Sequence, residues 1–277
     1  MSSGAAELAG PRLWLSRYGA LIRTAWLVDI QYRAAIALWL LWGVLEPLVS
    51  LGIWWTIAGA GPVQGYERAD FARYFFAIIL INQLTLAWDA FYIDSWIRGG
   101  EMNFRLARPI APIHEAIADN IAYKIRSVVV VCTGWLIVAA LWPPARMPFE
   151  PTRWLLAVLA TVLAAALRFL NGYATGLLAF WTTRATALMS LQYGVSIFLS
   201  GRIAPLALLP PVVSTIAGVL WFRYMLAFPV ELLTGDAMTG AQIAAGFAGQ
   251  IAWTVAWGVI CAVVWRFGIR KYAAVGG

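Results

Sequence analysis

The stretch DSWIRGGEMNFRLARPIAPIHEAIADNIAYKIR, residues 94–126, is the longest polar segment of a chain that is otherwise apolar. It holds five of the twenty basic residues, the single histidine His114, and two prolines, Pro109 and Pro112, bracketing Ile110 and Ala111. The sequence on either side is apolar in runs longer than a soluble core helix needs. Such a segment reads as a loop joining two membrane spans, which makes the fold class an all-α polytopic membrane protein.

Composition agrees with that class. A soluble domain is about 45–50% apolar and about 25% charged, whereas this chain is 62% apolar and 12% charged, with 16 Trp. Its 277 residues suit one polytopic domain. The net charge of +7 comes from arginines scattered between apolar runs rather than gathered on one polar face. It therefore reads as topology information, and no nucleic-acid partner is expected. Cys132 and Cys261 both lie inside apolar runs, so no disulfide framework is expected. The first residues, MSSGAAELAGPRLW, lack the charged and apolar regions of a cleaved signal peptide.

A spanning helix needs about 20 apolar residues. Six runs answer to this: 35–60, 73–93, 121–142, 154–181, 186–201 and 241–265, of which the fifth is short. Between the fifth and sixth lies RIAPLALLPPVVSTIAGVLWFRYMLAFPVELLTGD, residues 202–236, apolar but broken at Pro205, Pro210, Pro211 and Pro229. Proline removes a backbone donor and ends or kinks a helix. Non-helical backbone at membrane depth is tolerated only where protein or water covers it. This stretch is expected to form a re-entrant or interfacial hairpin of short helices, with a seventh span near 212–230 as the alternative.

Counting basic residues by side sets the orientation. With the N-terminus inside, thirteen fall on cytoplasmic segments, including Arg98, Arg105, Arg108, Lys124 and Arg126. Six fall outside: Arg68, Arg73, Arg146, Arg153, Arg202 and Arg223. Both termini are therefore expected in the cytoplasm. Before the first span, Trp14, Tyr18, Leu21, Ala25 and Val28 step by four and three along one helical face. Arg12, Ser16, Gly19 and Arg23 share the opposite face. This is the pattern of an amphipathic helix lying in the membrane interface, and residues 1–34 are expected to form a cytoplasmic N-terminus carrying it. A plain extension of the first span is the alternative.

Catalytic and nucleotide chemistry finds few residues here. Two cysteines and one histidine make no metal-ligand set, and neither H-E-x-x-H nor G-x-S-x-G occurs. His114, beside Glu115, reads as a solvated or interface residue. The only lysines, Lys124 and Lys271, are followed by Ile125 and Tyr272, so there is no phosphate-loop lysine. Any ATP-driven work then needs another chain to bind the nucleotide.

Charges inside the spans remain. Glu46, Asp89 and Arg168 fall within the first, second and fourth runs. Each costs about 2.5–3.5 kcal/mol at a helix centre, and such residues pair or line a pathway. A polar translocation route and a structural pairing of Arg168 with Glu46 or Asp89 are both open. Gly172 and Gly176 form a G-x-x-x-G that permits close helix contact in the fourth span.

Together these features resemble the permease subunits of type-2 ATP-binding-cassette exporters, the ABC-2 family. The resemblance spans nearly the whole chain. It rests on EPLVSLGIWWTIA in the first span, on YFFAIILINQLTLAW leading into IRGGEMNFRLARPIAP, and on SGRIAPLALLPP with FRYMLAFPVELLTG after the fifth. It implies a transmembrane domain over 35–277 that works as a dimer with a second permease, identical or homologous, in a bacterial inner membrane. It also implies a cytoplasmic ATPase that carries the ATP and Mg, and a coupling loop over 95–120 that docks into it. Arg98, Gly99, Gly100, Glu101, Phe104, Arg105, Arg108, Pro109 and Pro112 are its expected coupling residues. Physically the stretch suits a lever. Two glycines release the second span, residues 101–106 can form a short helix, and the prolines fix a corner. Ile113, Ile117 and Ile121 then step along one helix face opposite Glu115 and Asp119. An ordinary basic loop on anionic lipid headgroups is the alternative. Trp88, Phe91, Tyr193 and Phe198 are candidate lining of a path.

Three other functions stay in view. The polysaccharide-exporting branch of the same superfamily shares the layout. An intramembrane enzyme would use Glu46, Asp89 or Asp94. A proton-coupled transporter would use Glu46 and Arg168, although no internal repeat is found.

Overall fold

The computed structural model describes the backbone of residues 11–31, 33–235 and 238–272, and the side chains of 14–27, 38, 41, 43–235 and 238–272. Among these the protein is all-helical, without β-strands. The chain runs α1 (Pro11–Gln31), α2 (Arg33–Ile57), α3 (Arg68–Thr85), α4 (Asp89–Arg98), α5 (Met102–Leu106) and α6 (Pro112–Leu141). It continues with α7 (Pro151–Leu177), α8 (Ala185–Leu199), α9 (Pro211–Val219), α10 (Trp221–Met225), α11 (Ala227–Thr234) and α12 (Gly240–Lys271).

Local chemistry sets many of these boundaries. Proline stands in the first turn of α6, α7 and α9, where its missing N–H costs nothing and its fixed φ suits a helix. The Glu67 N–H donates to Asp70 Oδ2 at 2.8 Å at the start of α3. Thr239 and Gln242 close a capping box on α12.

Among the described residues, four helical stretches are long and apolar enough to cross a membrane: Arg68–Arg98, Pro112–Leu141, Pro151–Phe180 and Gly240–Lys271. Gly43–Ile57 and Ala185–Leu199 are shorter apolar helices. All six coincide with the apolar runs of the sequence. The Arg68–Arg98 stretch, α3 with α4, is the central one, with more than half of its most apolar window buried. Phe71, Phe75, Ile78 and Gln83 have essentially no exposed surface. By contrast, few residues of α6 and α12 are buried, and their Val129, Leu136, Val255 and Val259 stand on the outside.

Small residues let α7 lie close to α4. A Cβ on Gly176 would stand 2.7 Å from the Ala90 carbonyl oxygen, and one on Gly172 would stand 2.9 Å from Asp89 Oδ2. The G-x-x-x-G of the sequence is therefore the seam between these two helices.

Residues 202–235 form only short helices, none longer than nine residues. They are held by side chains from elsewhere. Gln250 Nε2 of α12 donates to the carbonyls of Ala160 at 2.8 Å and Tyr224 at 2.9 Å. Trp253 Nε1 donates to Val219 O at 2.8 Å, and Arg223 pairs with Glu231 at 2.7 Å. Phe228, Val230 and Leu232 of α11 are buried in the main core.

The N-terminal helix departs from the expected picture in what its apolar face meets. Trp14 and Tyr18 pack on His114 of α6, with ring centroids 5.3 and 5.7 Å apart, and the Tyr18 hydroxyl hydrogen-bonds His114 Nδ1. Leu21 and Ala25 face a cavity beside α4 and α6. That face is thus turned in part onto protein, while Trp14, Leu15, Trp26 and Leu27 are exposed large apolar residues of α1. Val28 and Arg12 lie outside the described side chains. His114 is one residue that ties α1 to α6.

Candidate functional site

The corner between α4 and α6 is compact. Gly99 ends α4, its N–H donating to Ser95 O at 2.7 Å. Gly100 then takes φ +76°, a left-handed conformation that favours glycine, and α5 follows. Arg105 binds the corner together. Its guanidinium lies 3.8 Å from the centroid of the Trp96 ring and pairs with Glu101 at 2.9 Å and Glu115 at 3.1 Å. Arg108 reaches Glu115 at 3.1 Å from the other side. A cation over an aromatic face, shielded from water, contributes on the order of 2 kcal/mol. The corner is therefore cross-braced through Arg105.

The nine predicted coupling residues divide by exposure. Arg98, Gly99, Glu101, Phe104, Arg108 and Pro109 face outward. Phe104 is 74% exposed, which is high for so large an apolar ring. Gly100 and Pro112 are buried, and Arg105 is turned inward as a strut. Arg98 is paired with Asp94. Ile113 and Ile117 pack against the cluster of Ile93, Trp96 and Phe180, as their spacing predicts, while Ile121 is exposed.

Deeper in the bundle lies a layer of polar side chains. The long second helix is interrupted at Leu86–Trp88, between α3 and α4, without proline or glycine. Lys124 Nζ of α6 donates to the free carbonyl of Leu86 at 3.2 Å and also to Asn120. Arg168 of α7 donates to Asn82 Oδ1 at 2.9 Å and Thr85 Oγ1 at 3.2 Å, both on the last turn of α3. Asp89 stands in the first turn of α4. Cations thus sit at the negative C-terminal end of one half-helix and an acid at the positive N-terminal end of the next. Sequence reading missed this break because neither proline nor glycine marks it.

The structural pairing, one of the two readings left open, takes other partners here. Arg168 pairs with neither Glu46 nor Asp89. It is spent on α3, whose Asn82 and Thr85 side chains offer acceptors at its level. Glu46 instead pairs with Arg202, at 2.9 Å, and accepts from the Tyr193 hydroxyl at 3.3 Å. Both carboxylate oxygens of Asp89 are buried without a hydrogen-bond partner. Of the four aromatic candidates, Trp88 lines the cavity beside α1, whereas Phe91, Tyr193 and Phe198 are exposed. Asp94, the remaining acid of the enzyme alternative, is held by Arg98.

Among the described residues no group of three His, Cys, Asp or Glu side chains could hold a metal ion. The polar residues serve helix ends and ion pairs, and the long helices are apolar enough to span a bilayer. The class defined is an integral membrane protein whose polar groups organise its helices. The chain belongs to the ABC-2 family: the sequence model described as "ABC-2 family transporter protein" matches residues 44–276. No curated protein matches it. As a member, it is a membrane component of an ATP-binding-cassette transporter.

Proposed function

We propose that this chain is the permease subunit of an exporter, forming the translocation path and coupling to a separate cytoplasmic ATPase through residues 95–120. The observation that carries the proposal is the cross-braced corner. Arg105 clamps α5 between Trp96, Glu101 and Glu115, while Phe104 projects from it. A lever must resist bending and present a docking knob, and this segment does both.

In this reading α2, α3 with α4, α6, α7, α8 and α12 are the six spans of a domain over 35–277, and residues 202–235 form a re-entrant hairpin. Both termini face the cytoplasm of a bacterial inner membrane. α1 lies at the lipid surface on the same side as the corner, which the excess of basic residues on that side supports. A second permease, identical or homologous, completes the path. ATP and Mg belong to the ATPase, and this chain carries no catalytic residue. Glu46, Asp89 and Arg168 then serve the permease as helix-positioning groups and, in part, as lining.

The test is co-purification of the ATPase with tagged permease. Replacing residues 98–112 by a Gly/Ser linker is expected to abolish it, and Phe104→Glu to weaken it by about tenfold, with the thermal midpoint of Phe104→Glu unchanged. Full retention of the ATPase by the linker variant would remove the coupling reading. A pathway through the Arg168 layer without any ATPase would then point to the ion-coupled alternative.

A further inference from the structure

A cavity of about 450 Å³ lies between the short helices α9, α10 and α11 and the first turns of α12. Its volume falls within the roughly 300–1,000 Å³ of small-molecule sites. It stands at the end of the bundle away from the corner. Tyr66, just before α3, and Met238 and Gln242, at the start of α12, line it, whereas Ile113 and Ile117 of the corner share a cluster with Trp265 and Tyr272 at the other end of α12. The charges on the lining balance: Arg223 and Glu231, paired at 2.7 Å. That pair uses one guanidinium nitrogen, Nη2, and one carboxylate oxygen, Oε2, while the two side chains keep 26% and 17% of their surface exposed. Among the described residues, Glu231 Oε1 and the other Arg223 nitrogens are neither hydrogen-bonded within the chain nor wholly enclosed, so both residues have capacity to spare toward the cavity. Gln242 adds a donor: its Oε1 accepts from the Thr239 N–H and hydroxyl, which leaves the N–H bonds of Nε2 for a ligand. The backbone beneath is braced. Gln250 Nε2 donates to Tyr224 O at 2.9 Å, next to Arg223, and Val230 and Leu232 on either side of Glu231 are buried in the main core. Groups fixed before binding lose less freedom when a ligand arrives.

An acceptor and several donors side by side, with no net charge, select one kind of ligand. A cation is opposed by Arg223 and an anion by Glu231. A hydroxyl both donates and accepts at one oxygen, so two neighbouring hydroxyls can donate to Glu231 Oε1 and accept from Arg223 or Gln242. A trans amide carries its N–H and C=O on opposite sides and reaches one of these adjacent groups at a time. Tyr66, Leu206 and Met238 supply apolar surface for the C–H face of a ring. We propose that this cavity binds a neutral saccharide, with Arg223, Glu231 and Gln242 holding neighbouring hydroxyls. Neither residues 95–120 nor an ATPase takes part, so the binding stands apart from the export-permease reading.

The experiment uses the purified full-length chain in nanodiscs of zwitterionic lipid, without any ATPase. Saturation-transfer difference NMR follows maltotriose, mannotriose and triacetylchitotriose in turn. Protein-free nanodiscs give the background, and N-acetyl-dialanine methylamide is the competitor of peptide chemistry. Saturable binding of at least one trisaccharide, not displaced by the peptide, is the expected result. Gln242→Glu keeps the acceptor that caps α12 and removes the amide donor, and it is expected to weaken binding by about fivefold. Arg223→Leu combined with Glu231→Leu removes the pair without leaving either charge alone, and is expected to weaken it by more than about tenfold. If the double variant does not elute as a folded protein, Gln242→Glu and Ala245→Trp, which fills the cavity, decide. Saturable binding of none of the three sugars, displacement by the peptide, or wild-type affinity in the folded variants would overturn the proposal. Because no ATPase is present, loss of ATPase co-purification with saccharide binding intact would fail the coupling reading alone.

Discussion

Two of the breaks in the helical course of the described residues are built from different materials. Between α3 and α4 the break at Leu86–Trp88 has no proline or glycine; Lys124, Arg168 and Asp89 complement the dipoles of the two half-helices. Between α8 and α9 the break carries Gly201, Pro205, Pro210 and Pro211. Its carbonyls are taken up by neutral donors, Tyr74 Oη on Gly201 O at 2.7 Å and Trp54 Nε1 on Ile203 O at 2.9 Å. Both satisfy the rule that backbone away from water must find partners. The first depends on charges from two other helices. The second is written into its own sequence and only then braced.

That contrast can be broken or sharpened by substitution, read as thermal midpoints in nanodiscs. The largest effect is expected at Gly201, whose φ is +80° and where a Cβ would stand 2.6 Å from the Tyr74 hydroxyl. Gly201→Val combines left-handed strain with overpacking and should destabilise by about 3 kcal/mol. A midpoint equal to wild type would mean the loop is not braced by α3. Next comes Lys124→Met, which leaves the Leu86 carbonyl without its charged donor and should cost about 2 kcal/mol. Lys124→Met without loss would show that the first break needs no cation, and the comparison would fail on that side. The smallest effect is expected for Pro205→Ala. Its main action is on the unfolded chain, about 0.4–1 kcal/mol, because Trp54 and Tyr74 still hold the native carbonyls. A loss as large as that of Lys124→Met would show that proline, rather than bracing, maintains the second break.

The same division explains which parts of the site were legible. The corner at 99–112 could be read from Gly99, Gly100, Pro109 and Pro112, since each constrains its own backbone, and α5 follows with α6 beginning at Pro112. The inward turn of Arg105 could not be read, because Trp96 and Glu115 come to it from the two flanking helices. Glu46, Asp89 and Arg168 stood out as costly charges, yet their partners lie far along the chain: Arg202 for Glu46, and Asn82 and Thr85 for Arg168. For α1, the periodicity of Trp14, Tyr18, Leu21 and Ala25 showed an apolar face but not that His114 would meet it.

By itself the sequence determined what is local or cumulative. Apolar length set the four described helices long enough to cross a membrane, because such a helix satisfies its own backbone bonds where water is absent. Proline and glycine set the short helices of 202–235 and the corner, because they restrict or free φ wherever they stand. Tertiary structure decided which charges meet, which end of which helix each cation serves, and that Asp89 is left beside an aromatic cavity without a hydrogen-bond partner. Those are outcomes of distance between helices, and a one-dimensional pattern carries no distance between positions 86 and 124 or 46 and 202 until the bundle has packed.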